Sequence, residues 1–445
     1  MAAFQPQDAP AMDDFPGVRD AGSKALLTTD NRGPDDRPGA DRDSSLSSGG
    51  LSSVVSSQGQ AAFIPELEAV RGLAIALVFS LHTDAWVAWR QPAPGLVVPL
   101  WQAFVFAGQT GVSLFFVLSA FLLSRPFLLE AAGGRRVDRS AYYARRALRI
   151  LPLYWAAVVV STLLWARSAR QLLNGAAYLV FLNTFPGTVE PMKPFSGGWW
   201  SLATEVQFYL LLPALPFFLR SKPQRWLGSI VLGGFAAVYA AVVLGWLHPS
   251  SPEAQLKTWH SLFCRAPLFL CGIAASWLYV HYGPRLRGWA YHNRWVCYGG
   301  ADCALVLVVL GLGVCLRRVV SLTYMGAESQ WQTFHVFEGL LWAAFLLLIL
   351  LAPAQLRRLL VNRFWEKIGM LSYSIYLIHS PFILYTFVWL GGWLHLAPGW
   401  NARSAGLITV LSAICIGLAT ITYYGIERPF LRRKARLGWW RSEPG

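Results

Sequence analysis

The sequence predicts an all-α, polytopic integral membrane protein with about ten transmembrane helices and one short re-entrant or interfacial helix. Three observations predict it. Of 445 residues, 55% are hydrophobic and only 14% are charged, against roughly 25% charged in a soluble protein. Apolar runs at 67–90, 97–124, 148–166, 199–220, 226–247, 262–281, 296–316, 334–352, 368–391 and 404–426 each can cross a bilayer, given ~20 residues per crossing. The arginines and lysines cluster in alternate loops, the signature of cytoplasmic connections in a multi-pass protein. The net charge of +15 would suit a nucleic-acid binder. That class is excluded because the basic residues sit in short loops between apolar runs, where they set topology.

Residues 1–62 are rich in Ser, Gly, Asp and Pro, with no long apolar run. This composition cannot bury a core and reads as a disordered cytoplasmic tail; it lacks the basic start and apolar centre of a secretory signal. The membrane domain is expected over 63–433, with a basic cytoplasmic tail at 434–445. The inner loops are then 125–147, 220–226, 282–295 and 353–367. They carry, for example, Arg135, Arg136, Arg139, Arg145 and Arg146 in the first and Arg357, Arg358, Arg363 and Lys367 in the last. The apolar run 172–185 is short and flanked by polar residues or proline. Treating it as a full span would move Arg220 to Arg225 outside, so it is assigned the re-entrant or interfacial role. The expected location is a plasma membrane, that of a bacterial inner membrane, with both termini cytoplasmic.

Ionisable groups inside spans are costly and point to function. Arg71 and His82 share the first span, eleven residues and therefore ~16 Å apart along a helix. Glu205, in the fourth span, comes out at a depth similar to His82. A histidine and a carboxylate at one depth can act as a general base and its orienting partner. His379, in SYSIYLIHSP, also falls near mid-membrane. Arg145, Arg146 and Arg149 sit at the cytoplasmic surface on the same side as Arg71, and the spacing puts Arg145 and Arg149 on one helical face. They anchor topology, and arginine also suits bidentate contacts to phosphate. A phosphorylated head at these arginines with an extended arm reaching His82 has the shape of coenzyme A. The six cysteines, Cys264, Cys271, Cys297, Cys303, Cys315 and Cys415, form no metal-binding spacing, so no metal or bound cofactor is expected.

These residues resemble the membrane-bound acyltransferase family three across about 63–433. Its Arg-(ten residues)-His signature is met by Arg71 and His82. Its Gly-x-x-Gly-Val-x-Leu-Phe-Phe-x-Leu-Ser-Gly-Phe stretch is met by Gly108 to Phe121, with Ala120 in place of the usual Gly. R-x-x-R-I-x-P-x-Y is met by Arg146, Arg149, Ile150, Pro152 and Tyr154. WSLATEVQFYLLLP with Trp200, Ser201 and Glu205, IGMLSYSIYLIHSPF with His379, and IERPFLRR with Glu427 resemble three further segments. The resemblance implies transfer from acyl-CoA, acetyl-CoA above all, to a hydroxyl of a sugar, surface polysaccharide or glycosylated natural product. His82 would be the base and Glu205 an essential polar partner. Arg71, Arg145, Arg146, Arg149 and Ser119 would hold the donor, with Trp200, Ser201 and Arg265 as further polar site candidates. Some relatives carry an added hydrolase-like domain; with about eighteen residues after the last span, a stand-alone form is expected here. Outer-side tryptophans such as Trp101, Trp199, Trp200 and Trp400 could stack on sugar rings, although an interfacial belt explains them as well. A transporter of polar molecules is the alternative. It would use the same buried charges as a proton relay, but the halves show no clear repeat. A purely structural scaffold leaves those charges unexplained.

Overall fold

The computed structural model describes residues 64–88, 98–185, 192, 195–247, 252–324, 334–396 and 399–440; the N-terminal tail expected over 1–62 lies outside them. The described chain runs through α1 (Pro65–Ala88), α2 (Leu100–Phe106), α3 (Thr110–Ala131), α4 (Arg139–Trp165), α5 (Ala169–Leu179), α6 (Trp200–Leu211), α7 (Leu215–Leu219) and α8 (Lys222–Val243). It continues through α9 (Pro252–His260), α10 (Leu262–His292), α11 (Ala301–Tyr324), α12 (Phe334–Leu351), α13 (Arg357–Leu360), α14 (Arg363–Trp393), α15 (Ala402–Thr422) and α16 (Arg428–Ala435). No strand occurs among the described residues. Nine helices among them, with continuous ones taken together, are long and apolar enough to cross a membrane. To these α1 adds a helix of 24 residues. The protein is an all-α, multi-pass membrane protein.

The short element is present as α5 followed by a single 3-10 turn at Leu182–Thr184. Eleven residues rise only ~16 Å, about half a bilayer core. Several boundaries differ from the hydropathy reading; α10, for one, continues to His292 through most of the loop expected at 282–295. The run 97–124 is broken at 107–109 between α2 and α3. The first basic loop shrinks from 125–147 to 132–138, because α3 and α4 continue as helices beyond their apolar parts. Local chemistry explains the extension. Glu130 takes hydrogen bonds from both terminal nitrogens of Arg139 and from the backbone N–H of Val137 (3.0 Å). Asp138 caps α4 by accepting from the N–H groups of Ser140 and Ala141. Hydropathy registers where lipid ends, not where the hydrogen-bonded helix ends.

The centre of the bundle is the contact between α1 and α14, with α3 on the other side of α1 and α10 and α12 beyond it. The two helices run parallel: Gly72 meets Gly369, and ten residues further along each helix His82 meets His379. They approach so closely that a Cβ on Gly369 would lie 1.7 Å from the Glu68 carbonyl oxygen, and one on Gly72 would lie 2.3 Å from that of Trp365. Small residues permit this kind of helix contact in a membrane. Trp199 is a core residue rather than an outer-facing one; it is 2% exposed and packs edge-on to Tyr154 and Tyr178. At the basic end, a π-type turn at Tyr423–Glu427 joins α15 to α16. The chain then folds back along α4, and Trp440 pairs with Val137.

Gly369→Ala is expected to lower stability by about 3 kcal/mol, the upper range for overpacking, since a backbone carbonyl cannot yield as a side chain would. The check is the melting temperature of the detergent-solubilised variant, with Gly417→Ala, whose Cβ would meet nothing within 4 Å, left unchanged.

Candidate active site

α1, α3, α4, α6 and α14 enclose a cavity of about 100 Å³. Arg71 comes from α1, Phe116 and Ser119 from α3, Arg146 and Arg149 from α4, Ser201 and Glu205 from α6, and Tyr373 and Tyr376 from α14. Six of the residues expected at a site therefore share one wall-to-wall space, although they span more than a hundred residues of chain.

The arginines divide into three states. Arg71 pairs with Glu68 one turn away at 2.6 Å. Arg149 pairs with Glu427, a carboxylate 1% exposed at the side chain, and lies over the Tyr373 ring. Glu427 also accepts from Ser374 at 3.0 Å. Arg146 has Tyr209 beneath its guanidinium at 5.9 Å, and its buried Nε meets no acceptor among the described residues. Arg145 departs from expectation. It lines no part of this cavity; it turns away and donates to the carbonyl oxygens of Lys434 and Leu437. Spacing alone put Arg145 and Arg149 on one face, yet residues three apart are neighbours as well as residues four apart. Packing selects Arg146 with Arg149.

His82 and Glu205 are also not brought together. The Ser119 hydroxyl donates to Glu205, and the ring beside His82 is His379, 3.3 Å from nitrogen to nitrogen. Equal depth fixes a position along the membrane normal and leaves the position around the bundle open. The tautomers follow from the donors. His379 Nδ1 is 3.0 Å from the carbonyl oxygens of both Ile375 and Tyr376, so it carries the hydrogen and leaves Nε2 as an acceptor. His82 Nδ1–H then points between the Val78 carbonyl (2.9 Å) and His379 Nε2. His82 Nε2 is left as the basic nitrogen. The histidine pair stands one turn of α14 beyond Tyr376, whose hydroxyl donates to Gly198 O and meets Ser201 Oγ at 2.6 Å.

Ala120 does not face the cavity. It is fully buried, and its methyl is accommodated by the missing side chain of Gly272, where a Cβ would sit 2.7 Å away. Arg265 belongs to a separate buried network. It donates to His335 Nε2 (2.6 Å), His335 Nδ1–H donates to Glu338 (3.1 Å), and Glu338 also accepts from Thr110 (2.5 Å). Trp342 in turn donates to Thr110. Trp200 bridges the two regions, with the Arg265 guanidinium 4.9 Å from its ring centre, His260 stacked on it at 4.3 Å, and Phe116 of the cavity wall edge-on. Sequence reading missed His335 and Glu338 as members of a buried polar network. Their signal was two ionisable residues three apart at the start of an otherwise purely apolar helix.

The cavity lies among the helices of a multi-pass membrane protein, with arginines at one end and a histidine pair beyond the other. The profile of the acyltransferase-3 family, described as an acyltransferase domain, matches residues 64–422, and the chain belongs to that family. It is 25% identical over 348 residues to the peptidoglycan O-acetyltransferase OatA of Listeria monocytogenes, a match covering 73% of this chain and 50% of the relative. It is 22% identical over 346 residues to the O-acetyltransferase OatA of Staphylococcus aureus, covering 73% and 51%. To the acyltransferase MdmB of Streptomyces mycarofaciens it is 25% identical over 395 residues, covering 84% and 93%. The chain thus spans about half the length of the OatA proteins. No solved structure matches it.

Removing Arg149 leaves Glu427 buried and unpaired, which typically costs about 3–5 kcal/mol. Arg149→Met is expected to destabilise the protein by that order, and Arg149→Met with Glu427→Gln to regain much of the loss. Thermal unfolding of the three proteins reads the difference.

Proposed function

We propose that this protein transfers an acyl group, acetyl in the first instance, from acyl-CoA entering at the basic end to a hydroxyl of a carbohydrate or glycosylated acceptor entering from the other side. The basic end faces the cytoplasm in this reading, as its arginine-rich loops require. One observation carries it. Arg146 is a cation in the cavity wall with no counter-ion hydrogen-bonded to it among the described residues. It stands on the Arg71 side, and Arg71 shares a rigid helix with a basic histidine ~16 Å onward. Burying an unpaired charge is costly, and a phosphate-bearing ligand removes that cost. An arm the length of pantetheine then brings a thioester toward His82.

The chemistry follows from the tautomers. His82 Nε2 takes the proton of the acceptor hydroxyl while His379 holds the imidazole by its Nδ1–H. The hydroxyl oxygen forms a bond to the thioester carbon and the carbon–sulfur bond breaks. The proton on His82 passes to the departing sulfur, so free CoA and the ester are the products. Glu205, held by Ser119, lies in the wall with Ser201 and Tyr376, where it positions the arm rather than the base. A sugar hydroxyl is favoured as acceptor because the two OatA relatives are named as O-acetyltransferases, one of them for peptidoglycan.

The test is thiol release from acetyl-CoA by purified protein in nanodiscs, with a panel of carbohydrate acceptors. Acceptor-dependent release is expected, reduced about 10²–10⁴-fold in His82→Ala. His379→Ala should lower kcat with little change in the KM for acetyl-CoA. Undiminished turnover in His82→Ala would remove the base assignment, and failure of labelled acetyl-CoA to bind would remove the donor.

A further inference from the structure

A second basic cavity lies at the end of the bundle that carries the arginine-rich loops. Its volume is about 220 Å³, and Glu130, Arg136, Val137, Arg139 and Arg220 line it. The three arginines come from three places in the chain: Arg136 from the loop between α3 and α4, Arg139 from the first turn of α4, and Arg220 from the end of α7. One carboxylate faces them. Glu130, 5% exposed, accepts from both terminal nitrogens of Arg139 and from the Val137 N–H, so its charge is matched by that single guanidinium. Arg136 and Arg220 have no hydrogen bond or ion pair among the described residues. The lining therefore carries two positive charges that no lining group offsets.

Arginines in the short loops of a membrane protein ordinarily extend into water and set topology. These are presented on fixed walls instead. Val137 N–H donates to Glu130, the Val137 carbonyl accepts from Arg139 at 2.9 Å, and Val137 pairs with Trp440. Asp138 N–H donates to Trp439 O at 2.9 Å. Arg139 also reaches the carbonyl of Pro213 (3.4 Å), in the 3-10 turn that leads into α7, and a capping box of Ser221 and Gln224 fixes the chain just after Arg220. A guanidinium is a planar fork that suits paired oxygens. One fork satisfies a carboxylate, as Arg139 does for Glu130. Two further forks from two walls match a group with three or four oxygens.

The cavity is separate from the candidate active site. Arg139 and Arg146 are seven residues apart on α4, ~10 Å along its axis. Tyr142, fully buried, stands between them and donates to Tyr209 O at 3.2 Å. Among the described residues none lines both cavities. The flank beside Arg220 is apolar: Leu210, Leu211 and Phe217, on α6 and α7, are each at least 50% exposed. Exposed apolar surface of this kind meets lipid tails. A basic recess at the rim of such a flank has the geometry of a lipid headgroup site.

We propose that this cavity is a phosphate site distinct from the donor site, occupied by the headgroup of an anionic phospholipid whose tails run along the exposed flank of α6 and α7. The inference is independent of the donor reading.

The experiment titrates the full-length protein, in phosphatidylcholine micelles, with short-chain phosphatidylglycerol and separately with inorganic phosphate, reading apparent affinity from the rise in melting temperature. Phosphatidylglycerol is expected to bind, and Arg136→Gln and Arg220→Gln each to weaken it about tenfold, the worth of one charge-assisted hydrogen bond. Both variants keep the Glu130–Arg139 pair, so unfolding without added phosphate should not change. Lys222→Gln removes an exposed charge near Arg220 that is outside the lining, and affinity should stay within about twofold, as for a screened surface charge. Equal loss in Lys222→Gln would mean diffuse surface attraction and would overturn the proposal, as would unchanged affinity in both arginine variants. Inorganic phosphate that binds and loses affinity in the same two variants would uphold the phosphate site and make its source soluble rather than lipid. A phosphate effect abolished by Arg146→Gln yet kept in Arg136→Gln and Arg220→Gln would belong to the donor cavity, and the second site would fall.

Discussion

The backbone contact between α1 and α14 is the constraint from which the rest of the site descends. Two helices meet at glycines so closely that no Cβ fits between them. That contact leaves one relative position along the helix axes, because a shift of one residue would place a side chain where a glycine now sits. With the register fixed at Gly72 and Gly369, every later pair follows by helix rise, and His82 arrives beside His379. The tautomer of the pair, and hence which nitrogen is basic, depends on that register and on the carbonyls of Ile375 and Tyr376.

A second constraint is electrostatic. Arg149, Glu427 and Ser374 tie α4, the π-type turn and α14 together through one buried carboxylate. With that charge neutralised, Arg149 becomes part of the frame and Arg146 beside it keeps its charge for the cavity. The two neighbouring arginines, three residues apart, therefore differ in kind: one is a brace and the other is available.

The chain itself disclosed what lies on one helix and concealed what lies between helices. Arg71 and His82 were legible as a pair because eleven residues of helix set their separation whatever surrounds them. The spans were legible because lipid demands apolar length, although α3 and α4 overrun theirs through Glu130, Arg139 and the Asp138 cap. Rotational phase was not legible, so Arg145 was grouped with Arg149 when packing turns it toward Leu437. Nor was azimuth: Glu205 matched His82 in depth, while His379 holds the place next to it.

The network around Glu338 has a consequence for the membrane rather than for the reaction. Glu338 gathers hydrogen bonds from His335, Thr110 and Ser113, with Arg265 donating to His335 and Trp342 to Thr110. Passing a proton along such a chain requires each donor to give up its hydrogen and turn. Arginine does not deprotonate in proteins, and an indole nitrogen offers no lone pair to receive one. Arg265 and Trp342 are therefore terminals for proton transfer. The branches that begin at Arg265 and Trp342 hold the buried carboxylate in place without offering a path for protons.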